Sequence, residues 1–216
     1  MNIIKKYFNL SLEQECKFAK LQKIYSEWNK KVNLISRIDI DNIYERHILH
    51  SLSIAKIIQF KKNTQILDAG TGGGFPGIPL AIMFPESFFL LADSIGKKIN
   101  TVNAIINELE LKNVKAIQKR VENIEDKFDF VVSRAVTELP EFYRWVYDKI
   151  EPEGFNDLPN GILYLKGGDV EKEMEKVKDM KSVAGKKQLA VEWRTYNLSD
   201  YFEEVFFQTK KIVYIC

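Results

Sequence analysis

Residues 66–74 read Ile-Leu-Asp-Ala-Gly-Thr-Gly-Gly-Gly, a short apolar stretch followed by four glycines within five positions. The apolar part predicts a buried strand, and the glycines let the backbone approach a ligand without interference from side chains. In an open α/β sheet, ligands bind beyond the carboxyl ends of the strands, which is where this turn lies. The stretch therefore predicts an α/β fold that binds a nucleotide-like ligand at the turn.

Strands and helices alternate along the chain beyond this turn. Apolar runs predict strands at 65–69, 88–92, 114–117, 128–133 and 162–165, and amphipathic runs predict helices at 77–84, 97–109, 138–150 and 170–180. Two longer strands, at 188–196 and 205–215, follow with no helix evident between them. We predict a Rossmann-like α/β sheet that is mostly parallel and ends in an antiparallel strand pair.

The N-terminal part, residues 1–62, has a different pattern and predicts a helical extension. Ser11 and Gln14 match a capping box, and apolar residues then recur at helical spacing from Phe18 to Val32. A second helix is predicted to begin near Asp39 or Asp41, with Ile48, Leu52, Ala55 and Ile58 as its buried stripe. We therefore divide the chain into a helical segment at 1–62, packed on a core domain at 63–216.

Charge is distributed unevenly between these two parts. Residues 1–62 carry 12 Lys or Arg against 6 Asp or Glu, a net charge of +6. Residues 63–216 carry 20 against 24, a net charge of −4, and the two sums give the total of +2. Such asymmetry favours contact between the N-terminal segment and a polyanion, although the lysines could equally serve only to solvate helix faces.

Composition excludes several other classes of protein. No segment approaches the roughly 20 apolar residues of a membrane span, and the first residues lack the pattern of a signal peptide. Cys16 and Cys216 have neither metal-ligand spacing nor a disulfide pattern. We expect a cytoplasmic protein, a monomer, with no metal site.

The residues around the glycine turn distinguish between two kinds of ligand. The next predicted strand ends at Asp93, 23 residues beyond Gly70, close to the spacing at which an acid binds ribose hydroxyls. Asp68 immediately precedes the glycines, where its charge opposes a pyrophosphate but suits the ammonium and sulfonium of S-adenosylmethionine. Pro76 and Pro79 also interrupt the helix start on which dinucleotide phosphates bind. We favour S-adenosylmethionine over a dinucleotide.

Six motifs, in order along most of the chain, resemble those of the bacterial small-subunit (16S) ribosomal RNA guanine-N7 methyltransferases, the RsmG or GidB family. They are Trp-Asn-Lys-Lys-Val-Asn-Leu at 28–34, Arg-His-Ile-Leu at 46–49, Asp-Ala-Gly-Thr-Gly-Gly-Gly-Phe-Pro-Gly-Ile-Pro-Leu-Ala at 68–81, Asp-Ser-Ile-Gly-Lys-Lys at 93–98, Ser-Arg-Ala at 133–135 and Leu-Lys-Gly at 165–167. The continuation of the glycine turn into Phe-Pro-Gly-Ile-Pro is the most specific of them. Residues after about 171 match only loosely.

The resemblance implies an S-adenosylmethionine-dependent fold and a set of cofactor-binding residues. Gly70 and Phe75 correspond to the turn contacts, Val121 and Glu122 to the pair near the adenine, and Arg134 to the arginine after the fourth strand. The turn itself adds Gly72, and spacing adds Asp93. Two positions depart from the family pattern, since His50 stands where Asp is common and Lys98 stands where Arg is common.

Seven basic or imidazole side chains are candidates for binding ribosomal RNA or the small ribosomal subunit. They are Lys30, Lys31, Arg46, His47, Lys97, Lys98 and Lys166. Lys97 and Lys98 are placed near Asp93, and Lys166 follows a predicted strand, as Arg134 does, where side chains border the ligand site. His47 is as much a candidate for a packing or capping role as for RNA contact.

Guanine N7 carries a lone pair and no hydrogen, so its methylation needs no deprotonating base. We therefore expect no essential catalytic base, and we assign positioning roles to Arg134, Lys166 and His47. Two rival functions remain. One is a methyltransferase whose substrate is another RNA, a protein or a small molecule, and the other is a non-catalytic binding module. The basic N-terminal segment argues against a small molecule, and the intact donor turn argues against a module without activity.

Overall fold

The protein is described by a computed structural model that covers residues 1–36, 38–134, 136–182 and 192–216, without the side chains of 178–182. Seven strands form one sheet: β1 Gln65–Ala69, β2 Phe88–Asp93, β3 Val114–Gln118, β4 Phe130–Arg134, β5 Gly161–Gly167, β6 Trp193–Asn197 and β7 Lys210–Ile215. Their order is β3-β2-β1-β4-β5-β7-β6. β1 to β5 pair in parallel, and β7 lies antiparallel between β5 and β6. The predicted Rossmann-like α/β sheet with a terminal antiparallel pair is confirmed.

Among the described residues, four α-helices precede β1 and four lie between the strands that follow. They are α1 Asn2–Tyr7, α2 Leu12–Asn29, α3 His50–Leu52, α4 Ile54–Ile57, α5 Gly77–Met83, α6 Gly96–Glu108, α7 Leu139–Val146 and α8 Glu171–Ser182. A π-helical segment, Tyr44–Leu49, runs into α3, and short 3₁₀ segments lie at Val121–Asn123, Tyr147–Lys149, Leu198–Asp200 and Val205–Thr209. No helix of the described residues is long and apolar enough to cross a membrane.

Each central strand contributes side chains to both faces of the sheet, because successive residues of a strand point in opposite directions. Ile66 and Val132 belong to one buried cluster, and their neighbours Leu67 and Val131 belong to another. The first cluster includes the N-terminal helices, α5 and α6, and the second includes α7 and α8. Burial on both faces explains why these strands are continuously apolar.

The N-terminal segment is packed directly against the sheet's helices. Ser11 and Gln14 form the predicted capping box at the start of α2. The Gln14 side chain also donates to the carbonyl oxygens of Ile82 and Met83 at the end of α5. Phe18 and Leu21 are fully buried in the cluster that contains Ile66.

Two predicted elements were wrong in detail. The helix predicted from Asp39 or Asp41 begins only near Tyr44, because Asp39 binds Ser36 and Arg46 instead of capping a helix. The predicted strand at 205–215 is a 3₁₀ segment over its first five residues, and a second 3₁₀ segment, Leu198–Asp200, lies between the two terminal strands. Consecutive apolar residues at 205–207 satisfy either structure, and here Phe206 and Phe207 pack against His50.

Two further differences concern the ends of the chain. Helix α1, with buried Ile4, was not predicted. The strand predicted at 188–196 falls partly on residues 188–191, which lie outside the described residues, and the described strand is Trp193–Asn197.

Candidate active site

A cavity of about 390 Å³ lies beyond the carboxyl ends of β1 to β4. It is lined by the glycine turn after β1, by Asp93 and Ser94 after β2, by residues 119–122 after β3, and by Arg134 and Val136 at the end of β4. Strand ends meet here because these four strands are neighbours and parallel. The cavity is therefore at the position that the sequence predicted.

The glycine turn has a backbone that other residues rarely adopt. Gly70 has φ +75°, and a Cβ added there would lie 2.6 Å from a methyl of Val136. Gly72 has φ +57°, but no atom lies within 4 Å of a Cβ added there. Since Gly72 lines the cavity, its missing side chain leaves open space next to the backbone.

Asp93 connects the turn with the end of β2. One carboxylate oxygen accepts a hydrogen bond from the Gly72 backbone N–H at 2.9 Å, and the other accepts from that of Ile95 at 2.8 Å. The carboxylate is half-buried and lines the cavity. Asp93 therefore orders the turn and also presents acceptor oxygens where a ribose diol can donate.

Asp68 lies beneath the turn, so our expectation that its charge meets the ligand needs correction. Its side chain is fully buried and is not among the residues that line the cavity. One carboxylate oxygen accepts from the Thr71 hydroxyl at 2.6 Å and from the Gly77 N–H at 2.8 Å. Burial raises the pKa of Asp68 to about 7, while the two hydrogen bonds oppose that shift. Asp68 thus shapes the turn from below.

The seven predicted cofactor-binding residues all line this one cavity: Gly70, Gly72, Phe75, Asp93, Val121, Glu122 and Arg134. They come from the ends of four strands and are separated by up to 64 positions in the chain. Lys98, predicted as an RNA contact, lines the cavity as well.

Arg134 joins the cavity to the N-terminal segment. Its guanidinium donates to Nδ1 of His47 at 2.8 Å and to the Arg46 carbonyl at 3.3 Å. The guanidinium carbon also lies 5.1 Å from the centre of the Phe75 ring. Burial lowers the pKa of Arg134 to about 10, which keeps it charged at neutral pH, and the nearby Asp68 opposes the shift.

His47 is neutral in this arrangement. An arginine has no acceptor, so Nδ1 of His47 must accept and the ring hydrogen must lie on Nε2. Burial lowers the pKa of His47 to about 3, and the charge of Arg134 acts in the same direction. Nε2 lies 4.0 Å from a carboxylate oxygen of Asp39, whose other oxygen binds Arg46 at 2.6 Å. His47 is therefore placed to orient Arg134, and its side chain is only 12% exposed.

The remaining predicted RNA contacts are spread over a wider surface. Lys30 and Lys31 are exposed just after α2, with the Lys31 ammonium 4.9 Å from the Trp28 ring, and Lys97 is exposed at the start of α6. Arg46 is paired with Asp39, and Lys166 with Glu173 of α8. The structure brings Lys98 and Arg134 together in the cavity and places Lys30, Lys31, Lys97 and Lys166 outside its lining.

Comparison with known proteins defines the family. A family model for GidB, described as rRNA small subunit methyltransferase G, matches residues 14–198. The chain belongs to the GidB family. Members named ribosomal RNA small subunit methyltransferase G from Cytophaga hutchinsonii and Flavobacterium johnsoniae are each 52% identical to it over 216 residues. The alignments cover 100% of this chain and 99% and 97% of the two relatives. The resemblance noted in the sequence is confirmed.

Solved structures agree with this GidB-family chain at the level of the fold. A S-adenosylmethionine-dependent methyltransferase from Aquifex aeolicus superposes with a TM-score of 0.56 at 16% identity, covering 84% of this chain and 98% of the other. A putative rRNA methylase from Clostridium thermocellum gives 0.51 at 20% identity, covering 79% and 95%. The sheet is thus the one that methyltransferases use.

His50, which the resemblance marked as a departure because Asp was expected there, is buried away from the cavity. Its ring packs edge-on against Phe206 and Phe207, at 5.4 and 6.1 Å between ring centres. Burial lowers its pKa well below the ordinary value, and Nε2 has no hydrogen-bond partner among the described residues. His50 is not among the residues lining the cavity, so any ordering role that Asp has at this position is not exerted there by direct contact.

Several residues that line the cavity were not predicted from the sequence. Lys119 and Arg120 directly precede the predicted Val121, so the rule that strand ends border the site was sufficient to find them. Leu34 comes from the N-terminal segment, where its Cβ and carbonyl oxygen each lie 3.2 Å from a Cβ built on Gly73. Trp145 comes from α7, whose amphipathic pattern predicts only packing. Leu34 and Trp145 reach the cavity only because distant segments of the chain come into contact, and no local sequence pattern predicts such contacts.

The cavity fits S-adenosylmethionine. Gly72 leaves room for close approach to the backbone, Asp93 offers acceptors for a ribose diol, and Val121 with Trp145 offers apolar surface. Arg134 can pair with a carboxylate at the end nearest the N-terminal segment. No group of His, Cys, Asp or Glu in the described part of the chain is arranged to hold a metal ion.

Proposed function

We propose that this protein transfers a methyl group from S-adenosylmethionine to N7 of a guanine in small-subunit (16S) ribosomal RNA. The observation that carries the proposal is the convergence of seven cofactor-site residues on one cavity in a chain of the GidB family. The full-length identity of about half to relatives named for the small-subunit RNA supports the choice of substrate. We also propose that the protein is a monomer and that it acts in the cytoplasm, where small ribosomal subunits are assembled.

We infer that the donor's ribose binds Asp93 and that the glycine turn lies against the donor's sulfur-bearing chain. The Gly72 N–H already donates to Asp93, so the two parts of the site are held in one geometry before a ligand enters. Such preorganisation lowers the entropic cost of binding. Arg134 then neutralises the donor's carboxylate or contacts the RNA at the same edge.

The donor supplies a methyl group that is already activated by attachment to a positively charged sulfur. Guanine N7 has a free lone pair at neutral pH, so the protein's task is to align N7 with the methyl carbon and the sulfur. His47, with its pKa lowered to about 3 and its Nδ1 occupied by Arg134, is a poor base. We therefore assign positioning, and not proton transfer, to Arg134 and His47.

We infer that RNA phosphates dock on the surface around the cavity mouth. The lysines at 30, 31, 97 and 98 are exposed or half-buried, and those of the first pair belong to the N-terminal segment of net charge +6. Arg46, His47 and Lys166 stay candidates for RNA contact, but their protein partners give them the further role of holding the site's shape. The target guanine must be unstacked and turned out of the folded RNA, because its N7 has to reach the methyl group inside the cavity.

The experiment that tests this function is transfer of a tritium-labelled methyl group. The donor is offered with naked 16S RNA, with small ribosomal subunits, and with large-subunit RNA as a control. We expect label only in the small-subunit RNA, naked or assembled, and none with Arg134→Ala. Label in another RNA, or in no RNA while a small molecule is methylated, would contradict the proposed substrate.

A further inference from the structure

One end of the cavity is built differently from the rest. Val121 and Glu122 form its wall after β3, and Trp145 of α7 faces the same space. The Trp145 indole packs against the cluster that contains Val121, and its ring centre lies 6.4 Å from that of Phe142. An aromatic and an aliphatic side chain thus meet at this end, next to one exposed carboxylate.

A buried lysine supports the same end from behind. The Lys149 side chain is only 4% exposed, although an ammonium is costly to bury without partners. Nζ donates to the carbonyl oxygen of Ile124 at 2.7 Å and more weakly to that of Glu122 at 3.5 Å. It also lies 3.3 Å from a carboxylate oxygen of Asp148. Lys149 therefore holds the backbone within the 3₁₀ segment Val121–Asn123 and directly after it.

Trp145 and Lys149 are four residues apart, so one element supplies both. Helix α7 ends at Val146 and continues into the 3₁₀ segment Tyr147–Lys149. The Lys149 carbonyl oxygen accepts from the Phe128 N–H at 2.8 Å, and the Glu151 N–H donates to the Phe128 carbonyl at 2.9 Å. These bonds tie the end of the segment to Phe128, just before β4, while the Lys149 ammonium holds the Val121–Asn123 wall.

We propose that Trp145 contacts the adenine of the methyl donor and that Lys149 positions the opposite wall of this adenine subsite. The assignment follows from the donor's three parts. Its charged amino-acid end suits Arg134, its ribose diol suits Asp93, and its flat, largely apolar base suits the corner between Val121 and Trp145. The proposal rests on the proposed function, because it takes S-adenosylmethionine as the ligand.

Tryptophan fluorescence tests the contact directly. The chain has three tryptophans, Trp28, Trp145 and Trp193, and Trp145 is the one that lines the cavity in the described structure. Titration with S-adenosylhomocysteine is expected to quench the emission, and Trp145→Phe is expected to abolish that quench. Trp28→Phe is the matched control and should keep it. A full quench in Trp145→Phe would overturn the proposal.

Affinities measured by calorimetry separate the base from the rest of the ligand. Trp145→Ala should weaken S-adenosylhomocysteine binding by roughly 5- to 150-fold, the range of lost base–aromatic stacking. Methylthioadenosine, which lacks the amino-acid end, should lose affinity by the same factor, because the lost contact is on the base. Equal affinity of wild type and variant, or a loss confined to the larger ligand, would overturn the proposal. Absence of binding to the wild type would instead refute the proposed function.

The positioning role of Lys149 is tested by separating KM from kcat. Lys149→Met should raise the KM for the donor about fivefold or more, with kcat changed less than about twofold, because the base and not the reacting centre is disturbed. Lys149→Arg should restore part of the affinity, since it can still donate to the Ile124 carbonyl. An unchanged KM in Lys149→Met, or equal losses in both variants, would refute this role. The Trp145 measurements decide the adenine assignment even if Lys149→Met fails to fold.

Discussion

Single residues at the strand ends determine what this site can bind. Gly70 is required by the Val136 methyl that occupies the place of its side chain, whereas Gly72 faces open space. Asp93 accepts from the Gly72 N–H and so couples the turn to the neighbouring strand. The identity of these residues followed from the sequence, because glycine spacing and the acid after the next strand carry a local signal. The burial of Asp68 did not, since it depends on contacts with Thr71 and Gly77 beneath the turn.

Replacement of Gly72 should separate ligand contact from backbone strain. Gly168, which has φ +84° and no atom within 4 Å of an added Cβ, is the matched control outside the cavity. Both Gly72→Ala and Gly168→Ala should lower the free energy of unfolding by about 1–2 kcal/mol, the cost of a positive φ. Only Gly72→Ala should weaken S-adenosylhomocysteine binding, by about tenfold or more. Equal affinity in the two variants, measured by calorimetry, would mean that the turn does not touch the ligand.

Buried His50 should make stability fall in acid. Its pKa in the folded protein lies below the ordinary value of about 6.5, so the unfolded chain takes up a proton that the folded chain does not. Stability from this group is present above pH 6.5 and is lost as the pH falls below it. Between about pH 7.5 and 5.5 the loss is at most about 1.4 kcal/mol, the value for a folded protein that takes up no proton there.

The measurement for His50 is the difference between wild type and His50→Leu. Urea unfolding at the two pH values removes the contributions that both proteins share, including the opposite one from Asp68. We expect the free energy of unfolding of wild type minus that of His50→Leu to fall at the lower pH, by at most about 1.4 kcal/mol. A difference that is the same at both values would show that His50 takes up its proton in the folded protein.

At the scale of elements, the sequence predicted the five parallel strands and the helices between them to within a few residues. Their apolar runs and helical periodicities are long, so one signal specifies each element. The strand predicted at 205–209 was wrong, because three consecutive apolar residues fit a strand or a 3₁₀ segment equally well. Its structure is decided by Phe206 and Phe207 packing on His50, a contact between distant parts of the chain.

The segment after α2 should dock RNA through Lys30 and Lys31. Changing both to Gln should weaken RNA binding and lower the slope of log affinity against log salt by about 1 to 2, because two phosphate contacts are lost. Donor affinity should stay unchanged. Lys56, which lies in the same N-terminal segment, is not a suitable target, since its ammonium donates to the Tyr7 carbonyl at 2.6 Å.

The control for this pair is Lys62→Gln with Lys112→Gln. Both residues are exposed, but they precede β1 and β3 and therefore lie near the amino ends of these strands, away from the cavity. RNA affinity and its salt slope, measured by filter binding, should match wild type in this control. An unaltered slope in the Lys30/Lys31 variant would move the docking surface to Lys97, Lys98 or Lys166.

At the scale of the whole molecule, the N-terminal segment and the sheet are joined by specific contacts. The Tyr25 hydroxyl donates to the Gly73 carbonyl at 2.7 Å in a fully buried position, and the Tyr7 hydroxyl donates to a carboxylate oxygen of Glu204 at 2.8 Å. The charge asymmetry indicated a distinct segment, but it could not indicate that Tyr25 supports the donor turn. Such pairings form only when distant segments meet, and the sequence has no local pattern for them.

Loss of the Tyr25 hydroxyl should therefore affect both folding and donor binding. Tyr25→Phe leaves the buried Gly73 carbonyl without its donor, which should lower the free energy of unfolding by about 1–3 kcal/mol. Donor affinity should fall as well, because Gly73 belongs to the turn that lines the cavity. Tyr44→Phe is the control, since its hydroxyl binds α2 carbonyls in a more exposed place. Thermal unfolding and calorimetry are the measurements. If Tyr25→Phe and Tyr44→Phe showed the same small loss of stability and of donor affinity, Tyr25 would not support the donor site.

Strand scission at the methylated nucleotide tests the central claim most directly. Small-subunit RNA is methylated with the labelled donor, reduced with borohydride and treated with aniline, which cleaves at N7-methylguanosine. We expect cleavage at one guanine, with a single-turnover rate that varies little between about pH 7.5 and 9, above the raised pKa of Asp68, because no required base titrates there. Labelled RNA that resists cleavage, with the methyl group on an exocyclic amine or a ribose hydroxyl, would contradict both the N7 assignment and catalysis without a base.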